Sequence, residues 1–154
     1  MADHLGIELL PTDAYDFANG EIYVRFGGES VRGADAFVLQ SHCSPINQWL
    51  MEQLLMIDAM KRASAKTITV IAPFYPYARQ DKKHRGREPI SARLVSDLFK
   101  TAGADRIMSV DLHAAQTQAS STGRSTTCGR SDPRGVRAHA RRHLERHGRV
   151  ARRR

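Results

Sequence analysis

Residues 67–89 read TITVIAPFYPYARQDKKHRGREP, and the order of residue types in this stretch indicates both the fold and the functional region. The stretch begins as an apolar, β-branched run, which is typical of a buried strand. It breaks at the aromatic segment 73–77 and then becomes a loop that holds five permanent cations. These are Arg79, Lys82, Lys83, Arg85 and Arg87. A buried strand that leads into a cationic loop before the next helix predicts a polyanion site at the carboxyl end of a parallel strand.

Strand and helix patterns alternate on both sides of this stretch. Strands are predicted at 7–10, 21–26, 34–40, 66–72 and 106–110. One helix is predicted to follow Ser44 as N-cap and Pro45 as first helical residue, and a second to span 91–102. In the second helix the apolar residues Leu94, Val95, Leu98 and Phe99 are expected to face inward. This alternation predicts an α/β fold with a doubly wound parallel sheet, whose ligands bind beyond the carboxyl ends of the strands.

The net charge of +8 is confined to one end of the chain. Residues 1–118 hold 13 Lys/Arg against 14 Asp/Glu, whereas residues 119–154 hold 11 Arg against two acids. The second segment has no aromatic residue and no periodic apolar face, so we expect it to be disordered, or at most a frayed helix near Val136–Leu144. The chain is therefore divided into a nearly neutral domain, 1–118, and a basic tail, 119–154.

Several classes of protein are disfavoured by the composition. No run of about 18 apolar residues is present, which argues against a membrane span, and the first ten residues lack the basic start of a signal peptide. The two cysteines, Cys43 and Cys128, suggest neither a disulfide framework nor a zinc site, so a cytoplasmic location fits best. The common glycine-rich nucleotide fingerprints are absent.

Three groups of residues are candidates for function. The cationic loop suits phosphate oxygens, although an exposed turn with salt bridges is the alternative. The turn Asn19-Gly20-Glu21, with Phe17 before it, can hold a nucleobase or ribose, although the residues by themselves favour a simple turn before a strand. His113, two residues after Asp111 and just past a strand, can contact a metal or phosphate or be purely structural.

Four segments carry a resemblance to a known family. FANGEIYVRF, ESVRGADAFVLQS, the long run from Ser44 to Phe99, and AGADRIMSVDLHAAQTQ resemble the amino-terminal half of ribose-phosphate pyrophosphokinase, also called phosphoribosyl pyrophosphate synthetase. The resemblance covers about Leu5 to Gln118. It implies a phosphoribosyltransferase-like fold and a Mg²⁺-dependent transfer of pyrophosphate from ATP to the C1 hydroxyl of ribose 5-phosphate, which releases AMP.

The resemblance also implies roles for single residues. Three sets follow from the matched motifs: adenine recognition by Phe17, Asn19, Gly20 and Glu21; ATP contacts by Arg79, Gln80 and Asp81; and a place for His113 at the Mg-ATP site. Ser30 and Arg32 match a segment that the family uses at a regulatory phosphate or ADP site between subunits. Active sites in this family are built across a subunit interface, commonly in hexamers, so a homo-oligomer is implied.

The chain also departs from the family pattern. The family's first strand and helix would precede Leu5, and its second domain, with the ribose-phosphate loop and further catalytic residues, would follow Gln118. We therefore expect this chain to be inactive alone. The alternatives are a non-catalytic regulatory or associated subunit, and an Arg-rich nucleic-acid binder that acts non-specifically through the tail.

The tail has a specific explanation that sequencing can test. After the position of Gln118, the family continues with a segment like GFFDGPVDHL. If this segment is written in GC-rich codons and its first base is deleted, the new frame encodes ASSTGRSTT and then begins a Cys codon. This is the sequence of residues 119–128. We predict a one-base deletion after codon 118, and a sequencing read across it checks this. An intact frame, with no second domain encoded in the neighbouring frame, would contradict the hypothesis.

Overall fold

The computed structural model of the chain describes residue 6, residues 8–111, and the segments 124–127 and 148–151. The strands are β1 (Leu9–Leu10), β2 (Thr12–Asp16), β3 (Ile22–Phe26), β4 (Asp35–Leu39), β5 (Thr67–Phe74), β6 (Arg106–Asp111), β7 (Arg124–Thr127) and β8 (Gly148–Ala151). The helices are α1 (Ile46–Arg62) and α2 (Ser91–Ala102). In the described part of the chain, no helix is long and apolar enough to cross a membrane.

Six strands form one parallel sheet in the order β1–β8–β4–β5–β6–β7. The chain moves across the sheet in one direction from β4 to β7, whereas β8 lies on the other side of β4. This change of direction is the topology of a doubly wound sheet. The predicted α/β fold class is therefore confirmed.

The core lies between the sheet and the two helices. Val38 and Val70, on neighbouring strands, are fully buried together with Met56 and Ile57 of α1 and Phe99 of α2. Alternate residues of β4, β5 and β6 point to the opposite face and form a second buried cluster of Phe37, Leu39, Ile71 and Met108. Because β4 and β5 are buried on both faces, their central residues form apolar runs, AFVL in β4 and VIA in β5.

An antiparallel hairpin of β2 and β3 stands apart from the main sheet. Thr12 pairs with Phe26 and Asp16 pairs with Ile22. Strand β2 is absent from the sequence prediction because its sequence, TDAYD, contains two aspartates and has low β-propensity. Pairing with β3 supplies the order that local propensity does not, so the turn at residues 17–21 becomes the tip of a hairpin.

The helices differ from the sequence predictions in two respects. Helix α1 begins at Ile46 with Pro45 as its N-cap, and no side chain caps it, so the predicted Ser44 cap is wrong. Pro45 has extended backbone angles, which place Ser44 outside the helix. Leu94 and Leu98 of α2 are 56% and 39% exposed rather than inward.

Small side chains decide which face of α2 meets the sheet. The inward residues are Ser91, Ala92, Val95, Ser96 and Phe99, which share one side of the helix at spacings of three and four. Alanine and serine allow close approach, and Val95 and Phe99 fill the remaining space. The two leucines consequently lie on the outer side.

Two tail segments are strands where the sequence predicts disorder. Residues 124–127 pair with β6, and residues 148–151 lie between β1 and β4. Each segment satisfies backbone groups at a strand edge, which needs no apolar side chains. The rest of the tail, including the possible helix at 136–144, lies outside the described residues.

The end of α2 gives a test of the fold. Gly103 has φ +127°, and a Cβ there would lie 2.7 Å from Cδ of Lys61. We predict that Gly103→Ala lowers the free energy of unfolding by about 1–2 kcal/mol, since a positive φ is costly for residues other than glycine. Urea denaturation measures the change. Gly86→Ala is the matched control, because a Cβ there meets nothing within 4 Å; equal losses in both variants would contradict the assignment.

Candidate functional site at the carboxyl end of the sheet

The cationic loop, residues 79–87, follows directly from the carboxyl end of β5 and is anchored by two tyrosines. Tyr75 is buried, and its hydroxyl donates to the Ala92 carbonyl of α2 at 3.0 Å. Burial raises the pKa of Tyr75 to about 12, so the hydroxyl remains a donor at neutral pH. The Tyr77 hydroxyl donates to Oδ1 of Asn47 in α1. The aromatic break after β5 therefore ties the loop to both helices.

The loop has an ordered backbone. The carboxylate of Glu88, the residue after the loop, accepts hydrogen bonds from the backbone N–H groups of His84 at 2.8 Å and Arg85 at 3.0 Å. These two hydrogen bonds lower the pKa of Glu88. Tyr77 and Arg87 have φ of 59° and 67°, a region that non-glycine residues rarely adopt and that often marks functional segments.

The salt-bridged alternative for this loop is not what the structure contains. Two ion pairs, Arg62–Asp58 and Arg93–Asp97, lie within the helices, and none is found for the cations of this loop among the described residues. Glu88 is used by backbone amides instead of by cations. The loop also contains the half-buried Asp81, and its five cations are exposed: Arg79, Lys82, Lys83, Arg85 and Arg87. Such a cluster at the end of a buried strand is suited to a polyanion.

Gln80 joins the loop to the start of α2. Its backbone carbonyl accepts the N–H of Ala92 at 3.1 Å, and its side-chain oxygen accepts the hydroxyl proton of Ser91. These bonds satisfy groups of the first helical turn, where intrahelical partners are lacking. Gln80 thus has a structural role, and it holds the neighbouring Arg79 and Asp81 beside the helix start.

The hairpin tip carries the second group of candidates. The Phe17 N–H donates to the Glu21 carbonyl at 2.7 Å, and the Gly20 N–H donates to the Phe17 carbonyl at 2.8 Å. Gly20 has φ +86°, which the tight turn requires. Oδ1 of Asn19 accepts the Glu21 N–H at 3.2 Å. The four predicted residues therefore form one closed turn.

The Phe17 ring is available at this tip. It is 46% exposed and makes edge contacts with Tyr15 and Tyr23, at centroid distances of 5.5 and 6.1 Å. Tyr15 and Tyr23 stack on each other at 4.8 Å. This aromatic group gives Phe17 a supported position while leaving part of its surface open to a flat partner.

The first turn of α1 connects the two candidate groups. Nε2 of Gln48 donates to Oδ2 of Asp16, next to Phe17, at 2.8 Å. The adjacent residue, Asn47, accepts the hydrogen bond from Tyr77 at the start of the loop. Each group is thus held to the same helix turn, and the described hydrogen bonds do not join the groups to each other directly.

Ser30 and Arg32 lie at the other edge of the sheet. They precede the amino end of β4, and the Ser30 hydroxyl oxygen accepts the Arg32 N–H at 3.3 Å. Gly33, the next residue, donates to the carbonyl of Ser64, which follows α1. These two exposed residues therefore lie at the amino ends of the strands, whereas the cationic loop follows the carboxyl end of β5.

The predicted metal ligand cannot be placed. His113 lies outside the described residues, and the side chain of Asp111 is likewise not described. Among the residues that are described, no three His, Cys, Asp or Glu side chains are arranged to hold a metal.

Three buried polar side chains near this edge were not predicted. Glu52 and Gln53 of α1 and His42 after β4 are all almost completely buried. Nε2 of Gln40 donates to Oε1 of Glu52 at 2.6 Å. The sequence could have predicted the burial of Gln53, because Gln53 lies four residues from both Trp49 and Ile57 and therefore on the same, inward side of α1. No local pattern marks His42.

The fold and this arrangement agree with one family of proteins. The family model for the N-terminal domain of ribose phosphate pyrophosphokinase matches residues 1–103 of the chain. This match covers well over half of the 154 residues. The chain therefore belongs to the ribose-phosphate pyrophosphokinase family, as its motifs predict.

Individual relatives are close in sequence. The chain is 71% identical to ribose-phosphate pyrophosphokinase of Streptomyces coelicolor and 73% identical to that of Corynebacterium glutamicum, each over 118 residues. These alignments cover 77% of this chain and 36% of the relatives, so the chain spans about a third of their length. It is also similar to the crystal structure of phosphoribosylpyrophosphate synthetase from Mycobacterium smegmatis, with a TM-score of 0.81 and 62% identity over 93% of this chain and 47% of that chain.

The buried histidine makes stability depend on pH. Burial lowers the pKa of His42 to about 4 from 6.5, and the hydrogen bond with the Phe74 carbonyl and the interaction with Gln53 offset only part of this effect. Between these two values the unfolded chain binds a proton that the folded chain does not. We predict that the free energy of unfolding falls by roughly 3 kcal/mol from pH 7 to pH 4 on account of this residue.

Urea denaturation of the wild type and of His42→Asn over this pH range isolates the contribution. Carboxylates that titrate in the same interval contribute equally to both proteins and cancel in the difference. The wild type should lose more stability than the variant on acidification. Parallel pH profiles would contradict the prediction.

Proposed function

We propose that this chain forms the ATP-binding part of a ribose-phosphate diphosphokinase. The observation that carries the proposal is the ordered cationic loop at the carboxyl end of β5, where doubly wound folds bind their ligands. Family membership supports the same assignment. ATP, Mg²⁺ and ribose 5-phosphate are the proposed ligands of the complete enzyme.

The triphosphate of ATP would bind at the cationic loop. Arg79 lies at the start of the loop, between Tyr77 and Gln80, whose side chains are hydrogen-bonded to the helices. Among the loop's cations, Arg79 therefore has the most firmly held backbone. A guanidinium can bind phosphate oxygens through two parallel hydrogen bonds, whereas Lys82 and Lys83 contribute point charges. Placement of the phosphates would therefore depend mainly on Arg79.

The adenine would stack on Phe17 at the hairpin tip. Oδ1 of Asn19 is already used by the Glu21 amide, so the Asn19 side-chain N–H groups and the Glu21 carboxylate are the groups available to a base edge. An N–H donor and a carboxylate acceptor side by side suit the ring nitrogen and exocyclic amino group of adenine. Gly20 maintains the turn that presents them.

The proposed reaction is a pyrophosphoryl transfer. The C1 hydroxyl oxygen of ribose 5-phosphate attacks the β-phosphorus of ATP, loses its proton, and displaces the bridging oxygen that leaves with AMP. Magnesium enters with ATP as part of the substrate and neutralises phosphate charge. The loop's contribution is to position the phosphates and to stabilise negative charge.

The remaining components are proposed to come from outside this chain. The alignments cover 36% of the relatives' length, and we expect the ribose 5-phosphate site to belong to the portion that they do not cover. We further propose that the chain works in a homo-oligomer in the cytoplasm, with Ser30 and Arg32 at a regulatory site. On this basis the chain alone binds ATP without turnover.

A panel of three variants tests the site. Isothermal titration with Mg-ATP and with tripolyphosphate should show that Arg79→Ala weakens both ligands at least about tenfold, because a hydrogen bond to a charged group is lost. Phe17→Ala should weaken ATP severalfold but leave tripolyphosphate unchanged, since only ATP carries a base to stack. Arg93→Ala is the matched control, because Arg93 is an exposed arginine on α2.

Two results would contradict the proposal. Equal loss of affinity in the Arg79 and Arg93 variants would mean that the interaction is non-specific charge attraction. Loss of tripolyphosphate binding in Phe17→Ala would contradict base stacking, because tripolyphosphate has no base for Phe17 to contact. Release of AMP from ATP and ribose 5-phosphate by the purified chain would contradict the expected inactivity and also exclude a purely regulatory subunit.

A further inference from the structure

His42 follows β4 and lies beside the last residue of β5, a few residues before the cationic loop begins. It is 1% exposed, and its Nδ1 is 3.2 Å from the carbonyl oxygen of Phe74, the last residue of β5. The paired register of β4 and β5 ends at Leu39 and Ile71, and His42 and Phe74 each follow three residues later. The imidazole therefore links the segments that follow β4 and β5 beyond the point where their backbone pairing ends.

The hydrogen-bond partners decide which ring nitrogen carries the proton. A carbonyl oxygen only accepts, so the contact with Phe74 requires a proton on Nδ1. The neighbouring Gln53 donates through Nε2 to the carbonyls of Val38 at 3.1 Å and Ile71 at 3.3 Å, which fixes the orientation of its amide. Its Oε1 is consequently also an acceptor, and it cannot bond to a bare Nε2 of His42.

This arrangement of protons leaves two buried atoms without a bond. Nε2 of His42 and Oε1 of Gln53 are buried, and neither has a hydrogen-bond partner among the described residues. The opposite tautomer would satisfy Gln53 but would leave Nδ1 without a proton opposite the Phe74 carbonyl. A proton on Nδ1 makes the bond to Phe74 and leaves two buried acceptors, Nε2 of His42 and Oε1 of Gln53, unsatisfied, which is costly.

The loop begins close to this bond. Only four residues separate Phe74 from Arg79, and three of them, Tyr75, Pro76 and Ala78, are buried. A change in the position of the Phe74 carbonyl is thus transmitted through packed residues and not absorbed by a flexible linker. The direction in which β5 ends sets the position of the first phosphate-binding cation.

We propose that His42 is a positioning residue for the cationic loop, acting through donation from Nδ1–H to the Phe74 carbonyl. It does not touch the nucleotide. Its functional meaning rests on the proposed ATP site, but its effect on the loop is independent of any ligand. A histidine that only fills space would change global stability without a selective effect on residues 79–87.

Matched substitutions separate these roles. Asparagine can place an amide N–H near the position of Nδ1, whereas glutamine places it near Nε2, and both are neutral and polar. We expect His42→Gln to increase native-state trypsin cleavage within the loop about five- to tenfold, the effect of one lost hydrogen bond, and to weaken Mg-ATP binding by a similar factor. His42→Asn should stay within about threefold of the wild type in both measurements.

Mass spectrometry assigns the cleavage to residues 79–87, and urea denaturation reports global stability. Equal loop cleavage in both variants, or cleavage that follows global stability alone, would overturn the proposal. If neither variant folds, ¹⁵N spectra of the wild-type imidazole decide it: a proton on Nδ1 supports the assignment, and a proton on Nε2 overturns it.

The ligand-free measurement distinguishes this inference from the proposed function. If the wild type does not bind Mg-ATP, the ATP site is refuted, while loop cleavage still tests His42. If the wild type binds Mg-ATP and His42→Gln leaves both cleavage and affinity unchanged, the ATP site stands and the positioning role is refuted.

Discussion

Strand β5 is held in parallel register between β4 and β6, and the rest of the described structure depends on this arrangement. Its backbone pairs with both neighbours, and its side chains are buried on both faces. A strand in that position cannot turn aside until it has passed its partners. The loop that follows it therefore emerges at the carboxyl edge, where a cluster of cations remains in contact with solvent and can meet a polyanion.

The carboxyl edge must also satisfy backbone groups that the sheet leaves unpaired. Gln53 donates to the carbonyls of Val38 in β4 and Ile71 in β5, and His42 contacts the carbonyl of Phe74. Gln80 likewise accepts hydrogen bonds from Ser91 and Ala92 at the start of α2. Buried polar groups are expensive unless they are bonded, so these side chains are determined by the geometry of strand ends and not by the apolar pattern.

The hairpin and the loop reach the same region by different routes. The hairpin is an antiparallel unit outside the main sheet, and it is joined to α1 through Asp16 and Gln48. The loop is joined to the preceding residue of α1, Asn47, through Tyr77. The same helix turn therefore carries contacts to both the hairpin and the loop.

Much of this was determined by the sequence alone. Apolar runs and their spacing predicted the parallel sheet and both helices, and the distinctive motifs predicted the family, because these signals are local. Tertiary structure alone decided that the TDAYD segment becomes a strand, that Leu94 and Leu98 face outward, and that His42 lies against the end of β5. Each of these depends on a partner distant in sequence: β3 for the first, the sheet surface for the second, and the Phe74 carbonyl for the third. Local propensity carries no information about such partners, and only packing supplies it.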